Sequence, residues 1–257
     1  MPEAALLAQS RQLIRVETEG WDHAQGTLQL FTRAHERAPW QPTGPAFVAW
    51  IGRNGSAWRS DQADPKDAAL RGPRKREGDG RSPVGLFALG DLWGYGAVPP
   101  PGVTLPYHAI DDRDRCVDDA ASADYNQLRR APPGGGKEPW QSAERLRMVT
   151  DHYKLLVPID YNGLLSQPSA SPRPRRGAGS CIFLHIAPPP GTGTAGCTAL
   201  SEPDLRRVLA LLDPSQRPLF LLLPRPARAQ ARIVWQLPFE LFSPPPAPPD
   251  PAPRPPR

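Results

Sequence analysis

Proline and glycine set the first limit on how this chain can fold. It holds 36 prolines and 22 glycines in 257 residues, nearly twice the roughly 12% of average usage. Proline removes a backbone donor and clashes with the preceding turn, and glycine costs conformational entropy, so both work against helix interiors. An all-helical bundle is excluded, and so is a coiled coil, which needs long runs of Ala, Glu, Lys and Leu. What remains is a set of short extended segments joined by turns. A hydrophobic fraction of 39% with seven tryptophans is enough for one sizeable core.

The prolines are unevenly spread. Residues 243–257 read SPPPAPPDPAPRPPR, with no apolar periodicity, which predicts an extended, polyproline-like tail. Gln167–Gly177 and Ala131–Gly136 are expected as surface loops, because patterned sequence resumes on both sides. The expected organisation is a flexible N-terminus at 1–10, one domain at 11–240 and a disordered proline-rich tail at 241–257, with no internal repeat. The formal charge is +5. The clusters Arg74-Lys75-Arg76 and Arg173–Arg176 read as solvated surface charge. No nucleic-acid motif accompanies them, so no nucleic-acid partner is expected. No apolar run of about 18 residues is present, so no transmembrane segment is expected. Residues 1–12 lack the basic and apolar regions of an export signal.

Strands are expected at Ile14–Thr18, Leu28–Thr32, Phe47–Ile51, Pro83–Leu89, Lys154–Asp160, Cys181–Ala187, Leu219–Leu223 and Arg232–Leu237, where β-rich runs are bounded by turn residues. Two helices are expected, at Ser142–Val149 and Ser201–Leu212. In the second, Ser201 caps, and Leu205, Val208, Leu209 and Leu212 fall on one face. Many short strands with two helices predict a mainly β fold, a β-sandwich or barrel-like core with a few docked helices.

The chemistry concentrates in Ser180–Ser201, SCIFLHIAPPPGTGTAGCTALS. An apolar strand delivers His185, a proline- and glycine-rich loop follows, and Cys197 stands at the start of the next element. A free thiol has a pKa near 8.5, and a neighbouring imidazole with inward-pointing backbone N–H groups favours the reactive thiolate. Gly196 lets the backbone turn sharply before Cys197. The N–H groups of Ala195, Gly196 and Cys197 are candidates for an oxyanion hole. Three cysteines, Cys116, Cys181 and Cys197, include no CxxC pair, which fits neither a disulfide framework nor a zinc site. At least one thiol must stay free. Cys181, inside CIFL, reads as a small core hydrophobe, and Cys116, inside DDRDRCVDD, as structural or incidental.

Phe183–Ala199, with His185, Thr194, Gly196 and Cys197, resembles the active-site signature of the L,D-transpeptidases, the YkuD-like domain of bacterial cell-wall enzymes. Lys75–Phe87, KREGDGRSPVGLF, is similar to that family's Gly-rich turn followed by Thr/Ser-Pro-x-Gly and a strand. The two blocks occur in the family's order. The chain departs from the pattern at Ile186, where many members have glycine, at Ala195, where many have histidine, and at Ala199, where many have an arginine that helps hold the substrate's carboxylate. Gly90–Asp151 is longer than a minimal domain of the family needs and is placed to cap the cleft.

The resemblance implies an L,D-transpeptidase-like core and acyl transfer on peptidoglycan stem peptides without a cofactor or metal. Cys197 would attack, His185 would act as base and then acid, and Arg81, Tyr107 and Thr194 would line the substrate cleft. A 3→3 cross-link or release of D-alanine would result. A cysteine hydrolase of the L,D-carboxypeptidase type and an inert wall-binding module are the alternatives. The implied location is periplasmic or otherwise outside the cytoplasm, against the wall, with the cytoplasm as the alternative. Oligomeric state is not specified by these features.

Overall fold

Turn residues cut the apolar runs into fourteen strands among the described residues of the computed structural model, which are 3–61, 70–148, 150–165, 173–187 and 193–242. They are β1 (Gln12–Thr18), β2 (Gln25–Thr32), β3 (Gln41–Trp50), β4 (Ser56–Trp58), β5 (Ser82–Ala88), β6 (Leu92–Gly94) and β7 (Tyr107–Ala109), followed by β8 (Asp114–Cys116), β9 (Leu128–Arg130), β10 (Glu144–Arg145), β11 (Leu155–Pro158), β12 (Phe183–Ile186), β13 (Thr198–Leu200) and β14 (Leu219–Pro224). Three α-helices, α1 (Glu3–Gln9), α2 (Glu202–Leu211) and α3 (Arg228–Trp235), accompany them. The fold is mainly β, as expected. The proline-rich run from Ser243, residues 166–172 and residues 188–192 lie outside the described residues.

Eleven strands form one sheet in the order β4-β5-β14-β1-β2-β3-β13-β12-β11-β6-β7, and β10-β8-β9 form a second, smaller sheet. β14, sequence LFLLLP, is buried along its whole length between β1 and β5. Such a continuous apolar run belongs to a strand covered on both faces. The site is positioned by the neighbouring β13-β12-β11 segment. There β12 runs parallel to β13, with His185 opposite Ala199, and antiparallel to β11, with Leu156 opposite His185.

The helix expected at Ser201–Leu212 is α2. The Ser201 hydroxyl accepts the Asp204 N–H at 3.3 Å, and Leu205, Val208 and Leu209 are buried where α2 packs on β12 and β13. Three local expectations are corrected. Glu3–Gln9, expected as part of a loose terminus, is helical and places Leu7 in the core. Arg232–Leu237, expected as a strand, falls largely in α3. Ala231 and Trp235, four apart, face inward there and Ile233 is 80% exposed, a helical period and not an alternating one. Ser142–Val149, expected as a helix, instead contributes β10. Glu144 and Arg145 pair antiparallel with Cys116 and Arg115, and Leu146 is drawn into an apolar cluster.

The cysteines supply the fourth correction. Cys116 of β8 and Cys181, two residues before β12, form a disulfide across 65 residues. Neither is a free or incidental side chain. Their separation carries no motif, and the pairing exists only because the fold lays the small sheet against the approach to β12. Cys197 is the free cysteine.

Candidate active site

The turn that presents Cys197 is held from both sides by hydroxyl groups. Thr194 is bridged to Gly52, its N–H donating to the Ile51 carbonyl and its own carbonyl accepting from Arg53, each at 2.8 Å. Its hydroxyl accepts the Gly196 N–H at 3.1 Å and donates to the Cys197 carbonyl at 2.7 Å. Ser82, the serine of the upstream SPVG block, reaches the same turn. Its Oγ accepts the Gly52 N–H at 2.9 Å and lies 2.7 Å from the Gly196 carbonyl and 2.9 Å from that of Cys197. The two sequence blocks thus meet: the first locks the backbone that carries the thiol. Gly196 adopts φ of 156°, and a Cβ there would lie 3.1 Å from the Arg81 carbonyl oxygen. The turn requires glycine for both reasons.

Cys197 directly precedes β13 and stands beside Phe183 in the register that pairs Leu184 with Thr198. His185 is two residues further along β12. Phe183 and His185 share one face because side chains on a strand alternate. Both are buried, at 0% and 5% exposure, with Cys197 at 6%. The Cys197 Sγ accepts the Phe183 N–H and donates to the Cys181 carbonyl, both at 3.3 Å. Among the described residues, no hydrogen bond joins the thiol to the imidazole. His185 Nδ1 lies 2.7 Å from the Ile186 carbonyl, which orients the ring. Burial pushes His185 down to about 4, against the pull of the Ile186 and His152 carbonyls toward the charged form. Burial, aided by the charge of Glu144, pushes the Cys197 thiol up, while the Phe183 N–H, Lys75 and Tyr153 favour the thiolate. In the resting site both groups are therefore neutral. An ion pair has to be formed during reaction, and the two backbone carbonyls facing the ring stabilise the imidazolium when it forms.

These side chains open on a cleft of about 420 Å³, lined by Cys197, His185, Gly193, Thr194, Ala195 and Gly196 on one side. Asp118, Glu144 and Met148, all from the long Gly90–Asp151 stretch, line the other, together with His152 and Tyr153. Of the expected oxyanion donors, the Gly196 N–H is already given to Thr194. Ala195 and Cys197 are the candidates left. Arg81 and Tyr107, expected at the cleft, are not among its lining residues. The Arg81 guanidinium pairs with Asp22 at 2.6 Å and donates to the Trp21 and Ser56 carbonyls. Tyr107 lies on β7, at the end of the large sheet, and donates to the Gly96 carbonyl at 2.6 Å.

Several cleft residues escaped the sequence. Lys75, expected as a solvated charge, is buried and donates to Asp79 at 2.6 Å and to the Arg76 carbonyl. Glu77 accepts from the hydroxyls of Tyr125 and Ser180. Glu144 accepts from Tyr153 at 2.7 Å, and burial pushes its carboxyl up to about 7. Lys75 and Glu77 lie in the KREGDG block, the one signal that could have found them, although its lysine was expected at the surface. Nothing in the pattern around Glu144 or Tyr153 pointed to them, because they reach the site from different elements.

The family model described as YkuD, L,D-transpeptidase catalytic domain, matches residues 43–219. That span contains both sequence blocks and every residue of the cleft. Among solved structures, the chain is similar to the helical cell shape determining protein Pgp2 from Campylobacter jejuni, at 14% identity and a TM-score of 0.37. The likeness covers 86% of this chain and 53% of that one, so this chain spans about half of that protein's length. No curated protein matches.

Proposed function

Since the chain belongs to the YkuD family of L,D-transpeptidase catalytic domains, we propose that it cleaves and transfers peptidoglycan stem peptides through an acyl-enzyme on Cys197. The observation that carries this reading is the placement of the free thiol. It sits on a turn clamped by Ser82 and Thr194, beside the strand of His185, at the floor of an open cleft.

In this reading the Cys197 sulfur attacks the carbonyl that links a diamino acid to a terminal D-alanine. His185 takes the thiol proton and returns it to the departing amine. The Ala195 and Cys197 N–H groups, which have no other hydrogen bond among the described residues, stabilise the oxyanion. An amine of a second stem then takes the acyl group to give a 3→3 cross-link, or water releases it. The absence of an arginine at Ala199 shifts carboxylate binding to other groups of the cleft, and Lys75 is a buried cation among the described residues that line it. The Cys116–Cys181 disulfide supports action outside the cytoplasm, where thiols are not kept reduced. No helix among the described residues is long and apolar enough to cross a membrane.

The test is D-alanine release from a tetrapeptide stem together with intact-mass detection of the acyl adduct. Cys197→Ala is expected to lose both signals. Release at the wild-type rate would sink the proposal. Cross-linked dimer among the products identifies transfer, and trimmed tripeptide alone identifies hydrolysis.

A further inference from the structure

We infer that Tyr153, anchored by Glu144, is a positioning residue that governs the reactivity of Cys197, an inference that rests on reading Cys197 and His185 as the acyl-transfer pair. Three elements meet here. Tyr153 ends the short turn of 3₁₀ helix Asp151–Tyr153 just before β11, and Glu144 belongs to β10 of the small sheet. The Tyr153 ring stands edge-on to His185, with centroids 5.2 Å apart, and edge-on to Phe183 at 5.5 Å. It belongs to the same buried cluster as Cys197, Phe183 and the disulfide. Its hydroxyl donates to Glu144 at 2.7 Å.

A phenylalanine would make the same ring contacts. The carboxylate adds nothing to an apolar wall and carries a desolvation cost unless its charge or its hydrogen bond is used. Glu144 holds that hydroxyl, and the Cys197 sulfur, in the same buried cluster, is the acceptor it would otherwise serve. One proton cannot serve both. With Glu144 ionised, the phenol proton is held on the carboxylate, and the negative charge opposes a thiolate. With Glu144 protonated from solvent in the cleft, the carboxylic O–H donates to the phenol oxygen and the phenol O–H turns to the sulfur. No covalent bond other than that O–H changes. The other titratable groups around this network are His185 against the Tyr153 ring and His152 beside it, Glu77 and Asp118, which disfavour the charged Glu144, Tyr95 beside Tyr153, and Lys75, which favours the thiolate.

The experiment is the pH profile of Cys197 alkylation by iodoacetamide, read by intact mass in wild type, Glu144→Gln and Tyr153→Phe, with D-alanine release measured alongside. Glu144→Gln removes the charge and keeps a donor to the phenol oxygen. Its alkylation near pH 7 is expected to be about tenfold faster, with onset at lower pH. Tyr153→Phe keeps the ring and loses the donor, and alkylation is expected to be about tenfold slower. A structural role alone would lower stability and leave both profiles where they are. Wild-type profiles in both variants overturn the inference. If Tyr153→Phe fails to fold, an unshifted Glu144→Gln profile overturns it and a shifted one supports it. Shifted profiles in a protein that never releases D-alanine would reject the acyl-transfer reading and retain the positioning role, so the two failures are distinct.

Discussion

Ser82 has one hydroxyl, and that hydroxyl links a strand-end amide at Gly52 to the carbonyls of Gly196 and Cys197. Replacing it with alanine leaves these buried backbone groups short of a partner, at a cost of about 1–3 kcal/mol. Ser82→Ala is therefore expected to lower the unfolding free energy by that amount and to reduce kcat for D-alanine release, read by urea titration and a product assay. Protonation adds a second residue-scale prediction. His185 titrates near 6.5 when unfolded and near 4 when folded. Between these values the unfolded chain binds more protons, so stability falls as the pH drops through that window. A His185→Asn variant, which cannot titrate, should flatten this part of the stability curve. Glu144 has the opposite sign. Its folded value of about 7 lies above the ordinary 4.5, so its contribution is present below about pH 4.5 and lost as pH rises toward 7. The Tm advantage of Glu144→Gln over wild type is expected to grow between about pH 5 and pH 8. A constant difference would show that Glu144 titrates normally.

At the level of elements, the disulfide joins the β10-β8-β9 sheet to the chain just before β12. In the chain-entropy account, closing a loop of 65 residues stabilises by about 4 kcal/mol. It also holds Cys181, whose carbonyl accepts from the Cys197 thiol. A Cys116→Ala/Cys181→Ala double variant is expected to melt lower and to be nicked faster by protease between residues 117 and 143. Equal melting and cleavage would mean that packing alone holds the small sheet. Elements also mark where sequence patterning was readable. β1, β2, β3, β5, β11, β12 and β14 each coincide with an alternating or continuous apolar run, and α2 with a capped apolar stripe. α3 and β10 were misread for one physical reason: each is short, so its conformation is set by the neighbour it packs on. Trp235 meets Trp58 edge-on at 5.4 Å and fixes a helical face, and β8 captures Glu144–Arg145 as an edge strand.

Across the whole molecule, the core extends beyond the limits expected for the domain. Leu7 at one end and Leu241 at the other both belong to the main cluster. Arg15, whose guanidinium lies over Phe31, donates to the Leu241 carbonyl from the middle of β1. A chain ending after Phe242 keeps both groups. One ending after Pro238 should lose several degrees, because Leu241 and the Arg15 partner go together. Calorimetry of the two truncations checks this, and equal Tm values would show that the C-terminal turn is not part of the cooperative unit.

The amino-acid sequence by itself determined the mainly β fold, the helix after the cysteine, and the block of His185, Thr194, Gly196 and Cys197. Those are local matters, settled by turn chemistry, apolar period and the spacing of a strand, a loop and a thiol. Only the tertiary structure decided which cysteine stays free, that Lys75 is buried, that Arg81 points at Asp22 instead of the cleft, and that Glu144 and Tyr153 meet beside the thiol. Each of these depends on residues far apart in the chain arriving at one place, and no periodicity encodes that.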